Sequence, residues 1–246
     1  MEKTNNPFLL PGAIVVAGVI IAFGIAYKPQ SPTVEVAKET LPEEKFELPV
    51  NWGSLGRQLV ENGVIDGPRF EKLYVENGEY PEEYDKLLNG DNSGKLKITK
   101  ENAGFLLNLL WAFGLANQNE ILTEGEMSDP RYGGAERFAS TAGWTMAQGN
   151  AMDHFSRHQF ITLIPEQQRM VDKVSREIYR PCCDNSAHFP DCNHGMAMLG
   201  LLELMASQET GEEEMRRAAL TVNSFWFPGA YVPVKTPRNS GSGCGV

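Results

Sequence analysis

The chain has 246 residues, 41% of them hydrophobic, enough to bury a core in one large or two small domains. Its formal net charge is −10, with 32 acidic against 22 basic side chains and no basic stripe or arginine-rich helix, which argues against nucleic acid as the main partner. Four cysteines are too few for a disulfide-built scaffold, and no glycine-rich phosphate loop points to a nucleotide cofactor.

After a flank of residues 1–7, residues 8–27 (FLLPGAIVVAGVIIAFGIAY) carry no charge. Twenty residues at about 1.5 Å each cross a hydrocarbon core of about 30 Å, so the pattern predicts a single N-terminal transmembrane helix. Pro11 falls in its first turn, where a missing N–H does no harm. The competing reading is a cleaved signal peptide, because Gly24-Ile25-Ala26 offers a small-x-small site. The length of the apolar run favours the retained anchor. Lys3 on one side and Lys28 and Lys38 on the other leave orientation undecided by charge. A lone N-terminal span before an acidic domain points to an extracytoplasmic domain, whose partners would be the membrane and a membrane or envelope protein.

Residues 28–49 are rich in Pro, Glu, Lys and Thr and read as a tether, with the domain occupying residues 50–234. Helix signals then follow one another. Residues 55–61 form a short amphipathic run stopped by Gly63. Residues 68–75 open on Pro68 and repeat Phe70, Leu73 and Tyr74. Residues 81–88 open on Pro-Glu-Glu, which suits a helix N-terminus. Only residues 96–98 suggest a strand. Thr99 is placed to cap a core helix bearing Phe105, Leu106, Leu109, Leu110 and Phe113. Residues 117–135 read as loop. Residues 136–158 read as helix with a break near Gly149. Residues 165–179 repeat Met170, Val174 and Ile178 and stop before Pro181. A further helix spans 196–207, and Thr210 with Glu213 predicts a capping box for the last one. Residues 235–246 form a Gly/Ser-rich tail. The fold class expected is mainly α: an irregular multi-helix soluble domain behind a transmembrane helix.

The chemistry concentrates in residues 180–198, within RPCCDNSAHFPDCNHGMAMLG. Three of four cysteines and two of four histidines fall there. Cys182, Cys183, Cys192, His188 and His194 carry the side chains that bind soft metals and perform thiol chemistry. The spacing C-C-x8-C-x-H matches no zinc ribbon or finger, which rely on C-x2-C pairs, nor the c-type haem signature. Half of a Rieske pattern is present, without its other half. His154 and His158, four apart, would share one face of a helix and could add two imidazoles. Met196 and Met198 tilt the choice toward copper, although both fit a helix core equally well. Copper or zinc is therefore the expected cofactor, in a metal carrier or accessory factor. Two alternatives remain open: a redox-active thiol enzyme in which Cys182 or Cys183 attacks and Cys192 resolves, and an envelope module stapled by a disulfide. Asp184, Asn185, Asp191 and Asn193 suit turns, or a supporting role behind a ligand histidine. Cys244, in the Gly/Ser tail, could swing into the site.

Residues 89–100 resemble a calcium loop only in part, because the twelfth place needs a bidentate Glu and holds Lys100. No nucleophile elbow surrounds Ser140.

Overall fold

The computed structural model describes residues 44–76, 78 and 80–230. The anchor at 8–27, most of the tether, the tail and Cys244 lie outside them. Among the described residues no helix is long and apolar enough to cross a membrane.

The first element is a strand, β1 (Lys45–Gly53), which alternates cleanly: Phe46, Leu48, Val50 and Trp52 point inward and are buried. The domain thus starts five residues earlier than expected, inside the span assigned to the tether. Three short helices follow: α1 (Leu55–Glu61), α2 (Gly67–Val75) and α3 (Glu82–Leu88). Asp66 caps α2 by accepting from the Arg69 N–H, and Pro81 precedes the acidic first turn of α3. The second strand, β2 (Asn92–Thr99), pairs antiparallel with β1. Register shifts between Glu47 and Asn51, where Pro49 lacks the N–H that an even ladder needs.

The mass of the domain is helical. In α4 (Ala103–Ala116), 11 of 14 residues are buried. Its N-cap is Asn102 rather than Thr99. The two instead brace each other, Thr99 N–H donating to Asn102 Oδ1 and Asn102 N–H to Thr99 Oγ1. The expected loop after α4 contains α5 (Glu120–Thr123). The expected helix over 136–158 does not form. In its place stand α6 (Ala139–Ala142), two 3-10 turns and irregular chain. Gly149 at φ +80° and Ser156 at φ 49° are left-handed, which an α-helix cannot accommodate.

The remaining helices are α7 (Pro165–Glu177), α8 (Asn193–Ser207) and α9 (Glu212–Trp226). The capping box expected at Thr210 is absent. Gly211 is the N-cap, and Thr210 is buried with its N–H on the Met205 carbonyl. Helices α4 and α8 are apolar on all sides and pack together as the centre of the core. They approach through two glycines: a Cβ on Gly114 would stand 2.2 Å from the Met196 carbonyl oxygen, and one on Gly200 2.7 Å from that of Leu110. One acid lies inside this apolar pair. Glu203 is fully buried and accepts from Asn117 Nδ2 at 2.6 Å. Burial pushes its carboxyl well above the usual range.

Candidate metal centre

The cysteine loop joins α7 to α8. Ile178 and Tyr179 leave the helix in extended conformation, and Tyr179 bridges Ser186. The Cys183 and Asp184 N–H groups both turn back to the Arg180 carbonyl, with Asp184 left-handed at φ 56°. The chain then runs to Cys192, the N-cap of α8, whose first residue, Asn193, comes three residues before the expected helix start at Met196. His194 therefore stands in the first turn of a helix and not in a loop.

Arg180 organises the loop. It is 0% exposed, and all five guanidinium N–H groups are used. Nε donates to the Asn185 carbonyl and Nη2 to those of Ser186 and Phe189. Nη1 donates to Asp191 Oδ1 at 2.7 Å and to Cys192 Sγ at 2.8 Å. Asp191 Oδ2 accepts from Asn185 Nδ2. Gly195 is obligatory beside this group, because a Cβ would sit 2.6 Å from Arg180 Nη1 and 3.0 Å from the Pro190 Cα.

Around that anchor three free thiols meet. Cys182 Sγ lies 3.4 Å from Cys183 Sγ. Cys182, Cys192 and His194 place their ligand atoms within 4.8 Å of one another, and so do Cys183, Asp191 and Cys192. The three sulfurs thus form a triangle with no side longer than 4.8 Å. Both Asp191 oxygens are already engaged by Arg180 and Asn185, so Asp191 acts as a brace, and His194 completes the donor set. His194 Nδ1 is buried and has no hydrogen-bond partner, while its ring packs 4.4 Å from that of Phe227.

The sulfurs differ in charge. Cys192 is held far below the ordinary thiol range by the Cys182 S–H, against the opposing effect of burial, with His194, Arg180 and the Gly195 N–H adding to the effect. Cys182 is pushed up by the same contact with Cys192 and by burial, and Cys183 is pushed up mainly by burial. One buried thiolate therefore faces two half-exposed thiols.

Four of the seven predicted ligands come together: Cys182, Cys183, Cys192 and His194. His188 is placed against α7, with Nε2 2.8 Å from Asp172 Oδ1. Asp172 lies below the usual carboxylate range, through Arg176 first and His188 after it. His154 and His158 do meet, but by hydrogen bonding to each other. His154 Nε2–H donates to the Gln148 carbonyl, so its Nδ1 accepts from His158 Nε2–H at 3.1 Å. Burial first, then His154, keeps His158 below the usual imidazole range. Met196 and Met198 are core residues, so the thioether argument for copper lapses.

Arg180 and Glu203 are the residues that sequence reasoning passed over. The only signals were an arginine directly before Pro-Cys-Cys and a lone acid within MAMLGLLELMA. What emerges is a mainly helical domain whose Cys/His cluster lies close enough to hold a metal ion. Comparison with protein-family models, with curated proteins and with solved structures found no match.

Proposed function

We propose that this chain is a membrane-anchored, extracytoplasmic protein that binds one soft metal ion, copper(I) or zinc, through Cys182, Cys183, Cys192 and His194, and works as a metal carrier or accessory factor. The observation that carries the reading is the sulfur triangle with the His194 imidazole beside two of its corners, Cys182 and Cys192. At a metal–sulfur length of about 2.3 Å, tetrahedral sulfurs stand about 3.8 Å apart, slightly wider than the 3.4 Å between Cys182 and Cys183 and inside the 4.8 Å bound on the other two sides. Three thiolates and an imidazole are a donor set suited to zinc, and soft sulfur equally suits copper(I).

Two features favour an exchangeable ion over a structural one. Loop shape rests on the five Arg180 hydrogen bonds and on the docking of α8, not on the ion. Cys182 and Cys183 are half-exposed, which gives an incoming ion a path to the buried Cys192. The same burial counts against exchange with a protein disulfide: the thiolate is 5% exposed and the accessible thiols are the protonated ones. The anchor and the compartment rest on the apolar run at 8–27.

Elemental analysis of the full chain purified under reducing conditions tests the proposal. The expected result is about one equivalent of copper or zinc that disappears when Cys182, Cys183 and Cys192 are all replaced by Ser. A folded wild type with no bound metal after incubation with either ion refutes it.

A further inference from the structure

The cluster that would hold the ion is also built to close on itself. Resting on the metal-binding reading, we propose that the site is redox-gated: a hydroperoxide converts Cys182 and Cys192 into a disulfide and so expels the ion. The grounds are geometric. Cys192 is anchored at the N-cap of α8 with an Arg180 N–H 2.8 Å from its sulfur. Cys182 is a free thiol within 4.8 Å of it, on a half-exposed turn, with left-handed Asp184 two residues on. A fixed sulfur with a second thiol within reach on an adjoining turn is the arrangement of a redox sensor with its resolving cysteine. Cys192 excludes a protein disulfide by burial, whereas hydrogen peroxide is little larger than water.

The steps balance. The Cys192 thiolate attacks one peroxide oxygen; the S–O bond forms, the O–O bond breaks and hydroxide leaves to take up a proton. The sulfur of Cys182 then displaces the oxygen from the Cys192 sulfenic acid. The S–S bond forms, the S–O bond breaks, and the departing hydroxide takes up a proton from solvent, because Cys182 gave up its own when it bound the ion. Two ligand thiolates lose two electrons, and one peroxide with two protons from solvent becomes two waters. A disulfide sulfur has no negative charge to give, so two of four donors vanish at once. Cys183 and His194 are left, and two donors do not retain the ion against solvent. Cys183 lies nearer to Cys182 than the bound on Cys192 requires, but bridging adjacent residues demands a distorted peptide, which makes Cys192 the partner.

The test uses the full chain loaded with zinc, treated with hydrogen peroxide near stoichiometry, with released zinc read by a chromogenic chelator and cysteines mapped by mass spectrometry. The expected result is about one zinc released per Cys182–Cys192 link, both reversed by a thiol reductant. Release with Cys192 as sulfinic or sulfonic acid and no link overturns the gating. So does a link joining Cys182 to Cys183 or to Cys244, or zinc retained after the Cys182–Cys192 link has formed. If the reduced protein never takes up zinc or copper, the gating falls together with the metal reading. If it binds zinc stoichiometrically and the ion stays under peroxide, the gating falls alone.

Discussion

Replacing Arg180 by Met removes a guanidinium that is 0% exposed while keeping much of its volume. Five acceptors lose their donor: the carbonyls of Asn185, Ser186 and Phe189, Asp191 Oδ1 and Cys192 Sγ. Breaking a buried ion pair by deleting one partner costs about 3–5 kcal/mol, and the part-buried carbonyls regain some of their loss from water. At about 2–4 °C per kcal/mol for a domain of this size, the midpoint of thermal unfolding should fall by about 6–20 °C. The metal-free protein should suffer most, because in the variant the ion becomes the main constraint on the loop. The gap between loaded and metal-free midpoints should therefore widen relative to wild type. Arg180→Lys keeps the charge but loses the five-donor fork, and should fall between the two. Calorimetry on both forms of each protein reads the effect. A midpoint within 2 °C of wild type for Arg180→Met, with an unchanged gap, would refute the assignment of loop architecture to Arg180.

Other outcomes follow from the same geometry. Cys192 meets the ion as a thiolate while Cys182 and Cys183 meet it protonated, so zinc binding should release two protons. The logarithm of affinity, measured by chelator competition from about pH 7 to 8.5 where free thiols titrate, should rise with a slope of two, and a slope of three would contradict the charge pattern. Gly195→Ala drives a methyl into Arg180 and the Pro190 backbone, and should weaken zinc binding at least tenfold; unchanged affinity would show that the contact relaxes freely. His154→Ala with His158→Ala should lower thermal stability yet leave metal stoichiometry intact, and loss of the ion would place the pair in the site after all. Glu203 has a raised folded-state pKa, so the native state holds its proton more tightly than the unfolded state. Its contribution is full below the unfolded value of about 4.5 and is lost as pH rises through the folded value. Glu203→Gln should flatten that decline in urea denaturation, and parallel pH curves for the two proteins would count against the raised Glu203 carboxyl.

Helix boundaries marked by punctuation were readable in advance. Gly63, Pro68, Pro81 and Pro165 end or open helices near where local chemistry puts them. The alternation of Phe46, Leu48, Val50 and Trp52 was equally present in β1, but Pro49 and the charged neighbours made it look like tether. Residues 136–158 carry enough helix formers to suggest one long element. The left-handed turns at Gly149 and Ser156 that break it depend on tertiary contacts, including the Ser156 N–H on the Leu115 carbonyl. At the site, residue type alone selected the four side chains that the fold brings together and also three histidines with other partners. Distinguishing them requires knowing that Asp172 faces His188 and that His154 faces His158, contacts separated by folding and not by spacing. Arg180 was hidden for the opposite reason: a lone arginine on a helix end usually points to solvent.

The glycine contact between α4 and α8 has a consequence for how the ligands keep their place. Gly200 lies eight residues along the rod from Cys192, about 12 Å at the helical rise. No side chain intervenes at the crossing, so backbone bears on backbone and the rod has no soft layer in which to slide or roll. The position of Cys192 and His194 is therefore referenced to a crossing that runs from Met196 to Gly200, one to two turns along the helix from Cys192. A single methyl added at Gly200 would tilt the helix and open the triangle without touching a donor atom, which makes the core crossing a calibrating part of the centre.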